Sequence, residues 1–561
     1  MDVANILVKI LSEYGIKTFF GIPGYHTLPL YKALYDLKLR HILFHEEVNA
    51  GFAADGYSKL SGLIGVVDAT AGPGILRVIP AVAESFASST PLLIIAGDVN
   101  LSYIYSYKYG RSHVAQHVDQ ISMLKPITKA QYIVTSPSYI LPTINQAIRT
   151  AVSGRPGPVL IDIPVNVFWG EYNSQDLEPI ENVSVLRITP SSELIQKAAN
   201  LIRASKKPIL ICGGGIHLAQ AWDEVYFFMD KYRIPVVTTI TGKGAVPEVH
   251  PLSLGIIGDL GGWFSAYQAV MESDLVIAIG TKFSQYSTYN WELLKSKRII
   301  HIDVDPEELG RSFHEDVSII GDAKISLSLL LTMLHDWRVN DDWVRYVKKL
   351  KDEFMRKLIY QMHEDNRAQS VTPKHVMMVL NEVCGEDDLL VSDASSSSGW
   401  TARYYIVKSG GRNYLAPRGI AGLGYGLPAA IGAYSTGNVK GKVVVVTGDG
   451  GFGYYVSELE TLKRTGYPIL VVVLNDSALG WIKLEQIILQ EGKVYSSEFL
   501  EIDYSKIARD YGIEAFRVQK PSELVNVIKT AYEHEGPSLV DVKVTTDPTF
   551  IDSLTKLFHK A

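Results

Sequence analysis

Val443-Val444-Val445-Val446-Thr447-Gly448-Asp449-Gly450-Gly451-Phe452 and, 27 residues beyond its aspartate, a second run ending Val473-Leu474-Asn475-Asp476-Ser477 decide how this chain is read. Each opens on a short apolar, β-branched run and stops on small or oxygen-bearing residues. A strand buried on both faces has that pattern. The residues between predict a helix, so the pair reads as strand–helix–strand in a parallel sheet. The oxygens of Asp449 and Asp476 then arrive at the carboxyl ends of two strands, where open α/β sheets hold ligands. The glycines let backbone approach an anion, and the helix start offers free N–H groups. Two carboxylates beside a phosphate suit a hard cation such as Mg2+.

The same alternation runs outward along the chain. Ile64–Val67, Leu92–Ala96, Val159–Ile161, Ile209–Cys212, Leu275–Ile279, Ile299–Ile302, Val443–Val446, Ile469–Leu474 and Leu539–Val542 read as buried strands. The fold class is α/β, with three doubly wound parallel-sheet domains near 1–170, 190–335 and 370–545. Polar residues 166–190 and the charged, helical stretch 336–372 separate them, and a tail, 546–561, carries Phe550, Ile551, Leu554, Leu557 and Phe558 at helical spacing. With 561 residues, 47% hydrophobic and 20% charged, each domain can bury an ordinary core. A net charge of −6 and the lack of a basic run give no footprint for nucleic acid. Two isolated cysteines exclude a disulfide framework and suit a cytoplasmic setting. No signal peptide or membrane span is expected.

Gly-Asp-Gly followed at this distance by a strand ending in Asn-Asp resembles the thiamine-diphosphate signature of acetolactate synthases, pyruvate oxidases and pyruvate and benzoylformate decarboxylases. The resemblance implies thiamine diphosphate and Mg2+ as cofactors, with Asp449, Asp476 and the carbonyl of Ala478 as metal ligands. It implies Gly448, Gly450, Gly451, Leu479, Gly480, Trp481, Ile482, Ser395 and Ser396 as further cofactor contacts. Many relatives carry Asn where Asp476 stands, so a changed metal preference is expected.

His45-Glu46-Glu47-Val48, leading through small residues to Gly56-Tyr57, is similar to the family's pyrimidine-binding segment, where the catalytic Glu stands nine residues before Gly-Tyr. That selects Glu47, which in the family shares a proton with the aminopyrimidine. A Glu packed on an apolar ring should have a raised pKa. Gly422-Leu423-Gly424 resembles the turn whose bulky residue pushes under the cofactor and bends it. Pro23, Gly24, Thr70 and Gly72 are implied as further cofactor contacts.

Pocket candidates are His26, which resembles an active-site His of benzaldehyde lyase, and Gln116, which matches the Gln of a Phe-Gln-Glu string. His117 stands where that string has Glu. Arg77 replaces a usual Asn; it reads as an interface cation, or as a carboxylate or phosphate ligand. Ile482 stands where pyruvate decarboxylases have a protonating Glu, which argues against fast aldehyde release. Thr241-Gly242-Lys243-Gly244 and His301-Ile302-Asp303 are typical of the family's central domain. Gly213-Gly214-Gly215 reads as structural, because no acidic ribose partner follows. Gly258-Asp259-Leu260-Gly261-Gly262 departs from the FAD-associated string, and FAD is left open.

The resemblance implies a small 2-oxo acid substrate, pyruvate foremost, and loss of CO2. The two-carbon remainder is then joined to a second 2-oxo acid, protonated to an aldehyde, or oxidised. The ligating, acetolactate-synthase-like outcome is preferred. A non-ligating decarboxylase, a pyruvate oxidase and a non-catalytic cofactor-binding relative are the alternatives. A homodimer or homotetramer is implied, with Glu47 of one subunit opposite Asp449 of another; a regulatory small subunit is undecided.

Overall fold

The computed structural model describes residues 2–108, 113–172, 186–364 and 370–545, so the C-terminal tail with Phe550 and Phe558 lies outside the described residues. Three sheets of six parallel strands account for the α/β class. The first holds β1 (Thr18–Gly21), β2 (Arg40–Leu43), β3 (Gly65–Ala69), β4 (Leu92–Asp98), β5 (Ala130–Ile133) and β6 (Val159–Pro164), in the order β2-β1-β3-β4-β6-β5. The second holds β7 (Pro208–Cys212), β8 (Val236–Thr238), β9 (Ser253–Ile256), β10 (Leu275–Ile279), β11 (Arg298–Asp303) and β12 (Val317–Ile320), ordered β12-β11-β10-β7-β8-β9. The third holds β13 (Leu389–Ser392), β14 (Tyr414–Leu415), β15 (Val443–Gly448), β16 (Ile469–Asn475), β17 (Glu514–Val518) and β18 (Ser538–Lys543), ordered β14-β13-β15-β16-β18-β17.

Counted from its own first strand, the third sheet repeats the order of the first, whereas the second is wound differently. In each sheet the winding reverses beside the first strand: between β1 and β3, between β7 and β10, and between β13 and β15. Loops leaving these pairs diverge and open a crevice at the carboxyl edge.

Two compact units divide the chain. One comprises Met1–Leu186, Pro417–Val439 and Tyr455–Tyr467; the other comprises Arg187–Ala416, Lys440–Tyr454 and Pro468–Ala561. Within the first unit, helix Glu47–Ser61, which joins β2 to β3, packs on helix Gly426–Ser435, its topological counterpart between β14 and β15. Small residues make the approach close: a Cβ at Gly56 would lie 2.2 Å from the Ala429 carbonyl oxygen, and one at Gly432 would lie 1.8 Å from that of Ala53.

In the second unit the charged stretch after residue 336 forms helix Asp341–Glu364 and is more than a connector. Trp343, Val344, Val347, Phe354 and Leu358 are buried along one stripe. Phe354 stacks on Trp263 at 4.9 Å. Lys243, wholly buried, donates to both oxygens of Glu248 at 2.7 Å and to the carbonyls of Tyr405 at 2.8 Å and Ala402 at 3.2 Å. A buried charge is tolerable only with partners of this kind.

Candidate active site

In the first unit, the crevice between β1 and β3 collects most of the residues singled out in the N-terminal region. The turn after β1 lies on the turn after β3: a Cβ on Gly24 would stand 2.3 Å from Thr70 Cβ, and His26 Nδ1 is 3.1 Å from Thr70 Oγ1. His26 is buried, and burial lowers its pKa, so the neutral imidazole is favoured. Gly72, at φ +70, leaves room for the carbonyl of Gln116, itself at φ +63.

Glu47 is the first residue of its helix, with Glu46 as the N-cap in extended conformation. Its neighbour across the crevice is Gly74, where a Cβ would lie 3.2 Å from Glu47 Oε1. Glu47 is only 6% exposed, and its Oε2 has no hydrogen-bond partner among the described residues. Burial raises its pKa, and its own backbone N–H and the Arg77 charge only partly offset this. A buried carboxyl that holds its proton this way suits proton sharing with a ring nitrogen. Glu46, by contrast, is half exposed and pairs with exposed Arg77 at 3.5 Å.

One strand further on, His117 Nδ1 lies 3.8 Å from Asp98 Oδ1 at the end of β4. Asp98 is held above the usual carboxylate range, first by burial, and Asp162 on β6 well above it. Gln120 donates to Asp162 at 2.6 Å.

In the second unit, the crevice between β13 and β15 has Ser395 on one lip and Gly448-Asp449 on the other. Ser395 is strained, at φ +64, and caps helix Ser396–Tyr404. Asp449 is 3% exposed and its Oδ1 has no hydrogen-bond partner among the described residues. Burial first, then the Asp476 carboxylate, push its pKa up to about 7. A cation between two such carboxylates removes both penalties. The two facing carboxylates therefore fit a divalent metal, although no three His, Cys, Asp or Glu side chains converge among the described residues. With the Ala478 carbonyl that the resemblance implies as a third ligand, such a set would leave positions for phosphate and water.

After β16 the chain turns tightly. Ser477 is at φ +54, and its carbonyl accepts from the N–H of Phe499 at 2.7 Å. Leu479 N–H donates to Ser497 at 2.8 Å. This turn sets buried Ala478 and half-buried Leu479 beside the glycines: a Cβ on Gly450 would meet Leu479 Cδ2 at 3.0 Å. Gly448 has only ordinary contacts around its Cβ position, which leaves room for an approaching group. Ile482 is exposed, and Trp481 Nε1 donates to Glu485 at 2.7 Å.

The Gly213-Gly214-Gly215 turn is taken up by packing. The N–H groups of Gly213 and Gly215 donate to Ile279 and Gly280, and a Cβ on Gly213 would lie 2.1 Å from the Gly280 oxygen. Asp259 is buried, with Oδ2 unpartnered among the described residues, and burial pushes it up to about 7.

Glu84, Asp98 and Asp162 are not singled out by the sequence, and Asp259 stands out there only as part of a departing string. The one signal for each is an acid in an otherwise small or apolar stretch.

Comparisons with known proteins cover most of the chain. The family model for the thiamine pyrophosphate enzyme N-terminal TPP binding domain matches residues 1–123, that for the central domain 195–330, and that for the C-terminal TPP binding domain 393–542. A probable acetolactate synthase large subunit from Methanocaldococcus jannaschii is 34% identical over 97% of this chain and 92% of its own length. Acetolactate synthase large subunits from Corynebacterium glutamicum and Lactococcus lactis are 33% and 32% identical, over 98% and 97% of this chain and 87% and 92% of their own lengths. Among the described residues, no helix is long and apolar enough to cross a membrane. The chain therefore belongs to the thiamine pyrophosphate enzymes, in the family that includes the acetolactate synthase large subunits.

Proposed function

We propose that the protein is a thiamine-diphosphate- and Mg2+-dependent carboligase. It decarboxylates a 2-oxo acid, pyruvate foremost, and joins the remaining fragment to a second 2-oxo acid, giving a 2-hydroxy-2-methyl-3-oxo acid of the acetolactate type. The observation that supports this is that Glu47 in one unit and Asp449 in the other are each buried with one carboxyl oxygen unpartnered among the described residues, at the crevices of two like-wound sheets, in a chain a third identical to acetolactate synthases.

The cofactor, when bound, supplies an electron sink for the carbon that loses CO2. The chain supplies placement and proton control. Glu47, whose pKa burial raises, is the carboxyl that shares a proton with the cofactor's ring. Asp449, Asp476 and the Ala478 carbonyl hold the cation, and Gly448 to Gly451 let the diphosphate approach. Leu423 supports the cofactor from below. His26 and His117 are the polar groups we assign to the pocket wall, with Gln116. Ile482 puts no acid there, which favours ligation over aldehyde release. Residues 1–170, 190–335 and 370–545 are the pyrimidine-binding, central and diphosphate-binding domains of this reading. Glu47 of one subunit works opposite Asp449 of another, in a homodimer or homotetramer. The two buried, free cysteines suit the cytoplasm. We read the central domain as working without FAD, since two N–H groups of its glycine turn, those of Gly213 and Gly215, are engaged and a string with a buried carboxyl, Asp259, stands in place of the flavin-associated one. Flavin absorbance in the purified protein would overturn that part alone.

The test is product analysis by NMR after incubation with pyruvate, Mg2+ and thiamine diphosphate under nitrogen. Acetolactate or acetoin supports ligation. Acetaldehyde alone makes the protein a decarboxylase, and no consumption of pyruvate refutes pyruvate as donor. Glu47→Gln should abolish turnover while sparing cofactor binding.

A further inference from the structure

Glu84 sits wholly buried in helix Pro73–Ala87, with no role in the site described so far. Its carboxylate accepts three consecutive backbone N–H groups: Gly419 to Oε1 at 2.7 Å, and Ile420 and Ala421 to Oε2 at 2.8 and 3.1 Å. The Ser88 hydroxyl adds a bond to Oε1 at 2.7 Å. These amides directly precede Gly422-Leu423-Gly424. The approach is close enough to dictate sequence, since a Cβ on Gly419 would lie 2.9 Å from Glu84 Oε1 and 2.5 Å from the Glu84 carbonyl oxygen. Ala421 is left-handed, at φ +57, a conformation an alanine keeps only when its surroundings impose it.

The far end of the same loop is also tied down. Tyr425 donates to Asp55 Oδ1 at 2.9 Å, its ring meets Phe52 edge-on at 5.4 Å, and Ser85, next to Glu84, donates to Asp55 Oδ2 at 2.9 Å. The loop thus hangs between two buried carboxylates. Helix Pro73–Ala87 presents Gly74 to Glu47 at one end and Glu84 to this loop three turns later.

We propose that Glu84 is a positioning residue that fixes the height of Leu423 under the cofactor by clamping residues 419–421. The proposal rests on the functional reading above, in which Leu423 is the cofactor's support. It adds a residue whose effect on turnover passes through backbone amides and needs no contact with substrate.

Two measurements test it. In the wild-type protein, hydrogen exchange should find the amides of Gly419, Ile420 and Ala421 protected, although they lie outside any helix or strand. In Glu84→Gln, an NH2 group replaces one acceptor and faces N–H donors. With thiamine diphosphate, Mg2+ and pyruvate, kcat should fall about tenfold or more while KM for pyruvate stays near the wild-type value. The near-ultraviolet dichroism of the bound cofactor should change as well, which a loss of stability alone does not produce. Rapid exchange of the three amides overturns the proposal whether or not the variant folds. So does a Glu84→Gln enzyme with wild-type kcat and cofactor dichroism. Wild-type protein that binds no thiamine diphosphate overturns the functional reading as well.

Discussion

Gly432→Ala adds one methyl group where two helices of the first unit touch. The new Cβ would stand 1.8 Å from the Ala53 carbonyl oxygen, roughly 1.6 Å short of the 3.4 Å at which ordinary contact begins. That oxygen belongs to helix backbone and cannot swing aside as a side chain could. The helices must part, at an overpacking cost near the upper end of the usual range, about 3 kcal/mol. Alanine recovers about 1 kcal/mol of helix propensity over glycine. The net loss is about 2 kcal/mol, which lowers Tm by about 4–8 °C for a unit of this size. Function should suffer more. Helix Gly426–Ser435 begins three residues after Leu423, so a shift of about 1 Å moves the residue proposed to support the cofactor, and misplacement on that scale costs about 100-fold in rate. Thermal unfolding and pyruvate consumption, measured on the same preparation, check both parts. Gly385→Ala, whose methyl meets nothing closer than 3.9 Å, is the control. A Gly432→Ala enzyme with unchanged kcat and an unchanged or higher Tm refutes the reasoning, because the contact would then not constrain the loop.

Three other outcomes are expected. Glu47→Gln should make the cofactor-free protein more stable near neutrality while abolishing turnover. The folded pKa of Glu47 is raised, so its stabilising proton is fully present below the unfolded value and lost as pH rises through the folded one, leaving a buried charge that Gln removes; the Tm advantage should vanish in mild acid. Mg2+ with thiamine diphosphate should raise the wild-type Tm, and Asp449→Ala should abolish that rise, as read by thermal shift. Lys243→Met strands the Glu248 carboxylate and should cost about 3–5 kcal/mol in chemical denaturation, with part recovered by adding Glu248→Leu; a cost below about 1 kcal/mol contradicts the buried-pair account.

Nine strands were legible because a strand buried on both faces leaves an unbroken apolar run, as at Val443–Val446. β2 and β5 were not, since Arg40–Leu43 and Ala130–Ile133 lie at sheet edges and stay partly exposed, so their residues need not be apolar. Two adjacent acids, Glu46 and Glu47, differ in burial by one position at a helix start, and it was the family's spacing to Gly-Tyr, not the residues alone, that pointed to Glu47. The clamp at Glu84 left no such trace. Its partners stand 335 residues away and offer backbone amides, which every residue but proline has. The buried Asp98 and Asp162 likewise act on one another only because β4 and β6 are neighbours in the sheet.

Lys243 belongs to the segment matched as the central domain, yet two of its four bonds end on Ala402 and Tyr405, where helix Ser396–Tyr404 finishes. The other end of that helix is Ser395, the strained lip of the crevice between β13 and β15. The central segment is therefore a keystone: without it the finishing end of the helix loses two bonds to a buried cation, and the lip at the starting end loses the brace that holds it.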